Sequence, residues 1–527
     1  MRRHAAAGCR RSRHPARGAG IRFAGFAPFA RCVKSRRQLI TGENTVNAPT
    51  IVQDAAAELQ LILDNQRQAF RAEGPVSLET RIDRIDRCIA LLVDHKQAIC
   101  DAVDKDFGCR SPYTTQMMDI MNSVGSLKFV KKNLKKWMKP EKRTPFMPMN
   151  FLGARAYVKY QPKGVVGIMT PWNVPVNMIF SPLADVLGAG NRAMIKPSEF
   201  TPHTSALMGK LFAQYFEETE VAVVTGGPEV GAAFSSLKLD HIIFTGASSI
   251  GRLVGKAAAD NMVPVTLELG GKSPVVISPS ADINKAAETL ITGKAMNGGQ
   301  LCVSPDYCFV PQSKLEAFIK RCRDVIAEQF PTVQGNPDFV ACINERHYER
   351  VKGYIDEAAE RGTRIVPLCP KGEEVSSPEE HKLALHLIVD PADDLACMQD
   401  EIFGAVLNVK TYDDLDPVLH FINEREHPLA LYYFGEDKAE EERVINETIS
   451  GGVSVNQIAM HVGCDDLPFG GIGHSGSGNY RGFDGFRTFS HGRGVYREGW
   501  VNMAKLAGTL PPFGQKLDKM LDSQIKK

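Results

Sequence analysis

The stretch His241-Ile242-Ile243-Phe244-Thr245-Gly246-Ala247-Ser248-Ser249-Ile250-Gly251 decides the fold. Its first five residues have the length and the β-branched, aromatic content of a buried strand, two glycines bracket a turn, and a helical pattern follows over 249–260. The same unit recurs on either side. Apolar runs at 165–169, 193–196, 221–225 and 264–269 alternate with helical patterns at 179–187, 203–216 and 229–237. This alternation predicts a parallel sheet with helices on its faces, a design that places ligands at strand ends.

Farther out, a helical region runs from about 55 to 139, where Ile82, Ile85, Ile89, Leu91 and Leu92 recur at near-helical spacing. Residues 146–160, rich in Pro, Met and aromatics, read as an extended excursion or hairpin. A second α/β region begins at 275–277, passes through a helix over 283–296, and continues past Cys302 into a strand at 307–310. It ends near 452, ahead of a glycine-rich stretch at 470–485. Two lobes with a cleft between them are expected. The first 42 residues hold eleven Lys or Arg, and no acid precedes Glu43. Residues 1–45 therefore read as a basic disordered extension, with a transit peptide or a start codon read too far upstream as alternatives.

At 527 residues the chain is long enough for at least two sizeable lobes. Its 43% hydrophobic content, 24% charged content and net charge of +2 give no basis for a nucleic-acid or anionic-membrane partner. Small molecules are the expected partners. Twelve cysteines are scattered without a CxxC pair or a metal-like cluster, which predicts a reduced, cytoplasmic protein without a metal site. The most apolar stretch, 165–180, is broken by Pro171, Asn173, Pro175 and Asn177, and falls short of the roughly 20 residues that span a bilayer.

Four short segments carry chemistry. The turn after His241-Ile242-Ile243-Phe244-Thr245 points helix amides at an anion, although tight packing alone explains such glycines about as often. Lys196-Pro197-Ser198-Glu199 follows a strand and offers a cation and a carboxylate to ribose hydroxyls; alone it reads as a solvated loop. Asn297-Gly298-Gly299-Gln300-Leu301-Cys302 places a cysteine after a helix in glycine-loosened backbone, whereas a lone cysteine is ordinarily a small buried hydrophobe. Val265-Thr266-Leu267-Glu268-Leu269-Gly270-Gly271-Lys272 sets a carboxylate in an apolar strand end, where burial would raise its pKa into the range of a base.

Taken in order, Pro171-Trp172-Asn173, Ile195-Lys196-Pro197-Ser198-Glu199, Phe244-Thr245-Gly246, Leu267-Glu268-Leu269-Gly270-Gly271-Lys272, Gly299-Gln300-Leu301-Cys302 and Glu401-Ile402-Phe403-Gly404 resemble the aldehyde dehydrogenases. The resemblance covers roughly residues 50 to 495. Pro305-Asp306-Tyr307, the segment Leu467 to Gly476 and Phe489-Ser490-His491 are similar to the class 3 branch, and within it to the bacterial coniferyl aldehyde dehydrogenases.

The resemblance implies an α/β fold with a Rossmann-like parallel-sheet cofactor domain (50–145 and 163–271) and an α/β catalytic domain (272–470). Extended oligomerisation or bridging segments would occupy 146–162 and 480–500. It implies Cys302 as nucleophile, Asn173 with the Cys302 amide as oxyanion donors, and Glu268 as the base that activates water against a thioester. NAD, with NADP as an alternative, would be held by Trp172, Lys196, Glu199, Thr245, Gly246, Ser248, Gly251, Glu401 and Phe403. The implied reaction oxidises an aldehyde to its acid, with an aromatic, coniferyl-type substrate first and medium or long aliphatic aldehydes second. The resemblance also implies a homodimer.

Three residues depart from the family pattern: Ala247, Met296 and Leu301 stand where many relatives carry Ser, an aromatic and Thr. The first removes a phosphate donor, and the other two bear on the substrate. An acylating enzyme that hands its thioester to coenzyme A would not need Glu268, and a silent cofactor-binding relative would lack Cys302, Glu268 or Asn173. A cysteine hydrolase would place a histidine beside the thiol.

Overall fold

The computed structural model describes residues 48–147 and 149–526; the basic extension expected over 1–45 lies outside the described residues. The alternating apolar runs form a six-stranded sheet in the order β17-β7-β6-β3-β4-β5. Its strands are β3 (Val165–Met169), β4 (Arg192–Lys196), β5 (Val221–Val223), β6 (His241–Gly246), β7 (Val265–Leu269) and β17 (Gly476–Ser477). The first five run parallel, and β17 adds antiparallel to the edge, pairing Gly476 with Glu268. Every residue of β3 and β4 is buried, as expected for strands covered by helices on both faces.

The intervening helices Asn177–Gly188, Pro202–Tyr215, Pro228–Ser235 and Ser248–Asp260 fall on the predicted patterns. The chain steps from β3 outward to β4 and β5, then returns to β6 and β7 on the other side of β3. Strand order therefore reverses between β3 and β6, and a crevice opens at their carboxyl ends. Asn173 leaves the end of β3, and the Gly246 turn leaves the end of β6.

A seven-stranded sheet follows in the order β10-β13-β14-β9-β8-β15-β16. It comprises β8 (Ser273–Ile277), β9 (Pro305–Pro311), β10 (Arg364–Leu368), β13 (Leu385–Val389), β14 (Val406–Tyr412), β15 (Ala430–Phe434) and β16 (Gly452–Val455). All pairs are parallel except β10 with β13. The short strands β11 (Ser376–Ser377) and β12 (Lys382–Leu383) pair beside it. A third sheet joins β1 (Glu141–Arg143), β2 (Arg155–Pro162) and β18 (Ser490–Arg497) antiparallel.

One local reading changes. The excursion over 146–160 is extended only from Arg155 onward, because turns closed by Met149, Leu152 and Ala154 amides occupy the residues before it. The region over 55–139 is helical as expected, with a π-helical turn, Gln116–Met121, just before the helix Asn122–Trp137. Among the described residues no helix is long and apolar enough to cross a membrane.

A buried charge network fastens the helical layer to the first sheet. Arg84, 2% exposed, bridges Glu73 at 2.7 Å and Glu220 at 2.9 Å. Glu73 also receives Arg192 of β4, and Glu220 receives Arg87. Burial disfavours the charged form of Glu220, yet the hydrogen bonds and charges of Arg87 and Arg84 hold it down at about 2. Arg84→Ala leaves Glu73 with Arg192 and Glu220 with Arg87, so it removes one of two cations from each carboxylate and is expected to cost about 2 kcal/mol, read as a lower midpoint in urea unfolding; an unchanged midpoint would refute the fastening role.

Candidate active site

Cys302 owes its position to a backbone that few residues tolerate. Asn297, Gly298 and Gly299 follow one another in the left-handed region, with φ of 50°, 64° and 77°. A side chain at Gly299 would overlap the Gly404 carbonyl, so the loop packs directly on the segment that carries Glu401 and Phe403. Gln300 fixes the far side: its amide donates to the Asn297 and Ala341 carbonyls at 3.0 Å each and accepts from the Ile343 amide at 3.0 Å. Leu301 and Val303 are buried, while Cys302 between them is only partly covered.

Asn173 meets this loop from the first sheet. Its side-chain amide donates to the Gln300 carbonyl at 3.0 Å, and its own carbonyl accepts from Asn297 Nδ2 at 3.0 Å. An amide nitrogen carries two hydrogens, so one N–H remains for a ligand near Cys302.

Glu268 is 1% exposed, and neither of its carboxyl oxygens has a hydrogen-bond partner. Burial pushes it up to about 8, against the opposing pull of Arg481 and of the Tyr480 hydroxyl. The Tyr480 hydroxyl, also buried, faces Glu268 closely enough to act on it but does not reach hydrogen-bonding geometry. Burial also drives the Cys302 thiol well above its ordinary value; Glu268 and Glu401 add to this, and Arg481 opposes it.

The residues expected to hold a dinucleotide gather around the same crevice. Lys196 Nζ pairs with Glu199 at 2.8 Å at the end of β4. Thr245 sits opposite Glu268 in the ladder. Ala247 caps the helix Ser248–Asp260 without a side-chain bond, which leaves its first amides to an anion. Gly246 and Gly251 are demanded by packing: a Cβ would come within 2.7 Å of the Phe244 ring or 2.5 Å of Leu269. The Ser248 hydroxyl donates to the His474 carbonyl at 3.2 Å and ties the glycine-rich segment to the turn. Phe403, at φ 47°, meets Trp172 edge-on at 5.4 Å. Glu401 has one buried oxygen without a partner, and burial raises it to about 7. A dinucleotide fits this donor set, since it would supply the partners that Glu401 and the helix amides lack.

Several residues around the site had been given no structural role from the sequence. Asp306 accepts the Ile402 amide at 2.8 Å and pairs with Lys272, which also donates to the Cys397 and Asp400 carbonyls at 2.7 Å each. Arg350 Nη1 donates to the Ile402 carbonyl at 2.9 Å. Together they hold the Glu401 loop. The Pro305-Asp306-Tyr307 motif had marked Asp306, but only as a point of likeness. Leu301 joins Val174, Met178 and Met118 in a small apolar cluster beside Asn173 and Cys302.

This thiol, amide and carboxyl, at the mouth of a parallel sheet, coincide with a match of residues 38–495 to the aldehyde dehydrogenase family. The chain belongs to that family. It is 50% identical to a Caulobacter vibrioides protein named "Probable coniferyl aldehyde dehydrogenase", over 92% of this chain and all of that one. It is 45% identical to the coniferyl aldehyde dehydrogenase of Pseudomonas sp. strain HR199, over 88% and 96% of the two chains. The substrate-bound Staphylococcus aureus AldH structure superposes with a TM-score of 0.83 at 32% identity, covering 89% of this chain and 99% of that one. The expected fold class is borne out, and the protein is an NAD(P)-dependent aldehyde dehydrogenase.

In this aldehyde dehydrogenase the carboxylates of Glu268 and Glu401 add to the effect of burial on the Cys302 thiol. At a fixed pH above about 8, where Glu268 is ionised, replacing it by Gln removes a negative neighbour and lowers the thiol pKa, so alkylation by iodoacetamide should accelerate by up to about tenfold, one pKa unit. Labelling is followed against a Cys302→Ser background. An unchanged or slower rate would show that Glu268 does not face the sulfur.

Proposed function

We propose that this enzyme oxidises an aromatic, coniferyl-type aldehyde to its carboxylic acid with NAD, through a thioester on Cys302. The observation that carries the reading is the partly open thiol flanked by an unpaired buried carboxyl and a side-chain amide with a spare N–H. The aromatic substrate is supported by the names of the curated relatives. Glu199, held beside the ribose position by Lys196, favours a free hydroxyl there and hence NAD over NADP.

Cys302 Sγ, once its proton has passed to water, attacks the aldehyde carbon as the thiolate, and the negative charge moves to the carbonyl oxygen. Asn173 Nδ2 and the Cys302 amide are the donors for that oxyanion. NAD, when bound, accepts the hydride that leaves the same carbon. Lys196 and Glu199 would hold the adenosine ribose; Thr245, Gly246, Ser248 and Gly251 would shape the pyrophosphate turn. Trp172, Glu401 and Phe403 would line the nicotinamide end. Glu268 then takes a proton from water, which adds to the thioester carbonyl, and the acid leaves as Cys302 recovers its thiol.

The same reading gives a homodimer in a cytoplasmic setting. It is supported by β18, which among the described residues pairs only with β2 and is exposed over most of its length, and by the scattered free thiols. Sedimentation equilibrium should return twice the mass of one chain; the mass of one chain would overturn it.

Cys302→Ser should abolish aldehyde-dependent NADH formation. Asn173→Ala should lower turnover by roughly a hundredfold or more. Glu268→Gln should keep a single-turnover burst and then accumulate acyl-enzyme, visible as a mass increase on Cys302. Because Glu268 is competent only when deprotonated, hydrolysis should speed up as pH rises through about 8 and slow as it falls, and this limb should vanish in Glu268→Gln. Faster turnover of aliphatic aldehydes than of cinnamyl-type ones across a panel would overturn the aromatic assignment.

A further inference from the structure

The segment carrying Trp172 and Asn173 links β3 to the helix Asn177–Gly188, and that helix begins without a cap of its own. Val176, at its N-cap, offers no side-chain acceptor. The acceptor comes from a distant element. Asp119 Oδ1 accepts from the Val176 amide at 3.0 Å and from the Asn177 amide at 3.1 Å. Its other oxygen receives Arg110 Nη2 at 2.8 Å, and both side chains are fully buried. Ser123 tightens the junction: its hydroxyl donates to the Asp119 carbonyl and accepts from Asn177 Nδ2 at 3.2 Å.

Asp119 reaches this place from the π-helical turn Gln116–Met121. A π turn inserts one residue into a helix and redirects the side chains around it, and such turns are frequent at functional sites. Arg110 also supports the other flank. Its guanidinium lies 4.9 Å over the Phe107 ring, and Phe107 packs against Trp172 at 6.2 Å. Asn173 is thus bracketed by Trp172, backed through Phe107 by Arg110, and by two amides hung from Asp119. Desolvation commonly cancels the attraction within a buried ion pair, so stability alone gives little reason to build one here.

We propose that Asp119, acting with Arg110, is a positioning residue that fixes the Asn173 amide in the orientation needed to receive the oxyanion. The proposal rests on the reading of Asn173 given above. Asp119→Asn keeps the side-chain shape but turns a donor either toward Arg110 or toward the two amides, which loosens the anchor. Ser123→Ala loosens it while leaving the buried pair intact, so a folded protein is available even where the first variant is unstable.

The test measures the single-turnover NADH burst of the full chain with saturating aldehyde and NAD, beside its circular dichroism and thermal midpoint. Asp119→Asn should slow the burst by roughly 10- to 100-fold, as a misplaced catalytic group does, with little change in the KM for NAD. Ser123→Ala should slow the same step by less. Each is then combined with Asn173→Ala, where neither should slow the burst further, because the group through which they act is gone. A burst in folded Asp119→Asn or, if that variant does not fold, in Ser123→Ala that equals the parent's would overturn the proposal. So would losses that multiply with Asn173→Ala. If Asn173→Ala alone leaves the burst unchanged, the oxyanion reading itself fails, and the proposal falls with it by a route visible before Asp119 is touched.

Discussion

Asn297, Asn173 and the Gln300 carbonyl form a small hydrogen-bonded junction on which the site depends. Asn173 is carried by the crossover that follows β3 of the first sheet, and the other two by the loop that leads into β9 of the second. Their bonds weld the loops where the two sheets meet. The weld exists only because three successive residues accept positive φ, a conformation that suits Asn and Gly and little else. Cys302 is thereby aimed by backbone geometry, two residues beyond a side chain that is anchored to 341–343. A strand or a regular helix at this point would turn the sulfur into the core, where most of the described cysteines lie.

Around this junction, buried charges divide by whether they are paired. Lys272 with Asp306 and Arg110 with Asp119 have partners, and each pair holds a loop through backbone amides or carbonyls. Glu268 has none, and Glu401 has an oxygen without one. An unsatisfied buried carboxyl costs free energy that folding alone would not retain, and perturbed groups of this kind concentrate where chemistry is done. Lys294, which donates to the Pro305 carbonyl at 2.8 Å and is lowered by burial to about 8, adds a cation behind the Glu401 loop. The paired charges set geometry and the unpaired ones remain free to exchange protons.

How much of this was legible in the sequence follows from the range of each interaction. The run His241 to Gly251 announced its strand, turn and helix because periodicity and turn chemistry are local. Cys302, Glu268 and Asn173 were legible through short motifs, each contained in a few consecutive residues. Asp119, Arg110, Tyr480 and Arg481 were not, since their meaning lies in contacts across tens or hundreds of positions: Asp119 serves Val176, and the Arg481 amide binds Asp185. The π turn at Gln116–Met121 has the composition of an ordinary helix. The roles of Gly246 and Gly251 as space for Phe244 and Leu269 also required the packed helix to be seen.

The departures from the family pattern become intelligible in the same terms. Leu301, where many relatives carry Thr, packs with Val174, Met178 and Met118, so the residue before Cys302 and the residue after Asn173 share one apolar surface. Methionines supply flexible, polarizable contact that suits an aromatic ring. Met118 is followed directly by Asp119, whose carboxylate holds the amides beyond Val174 and Asn173. The apolar cluster around Leu301 therefore rests on the same π turn whose Asp119 holds the Val176 and Asn177 amides, so packing beside Cys302 and the anchoring of the Asn173 segment share one turn of helix.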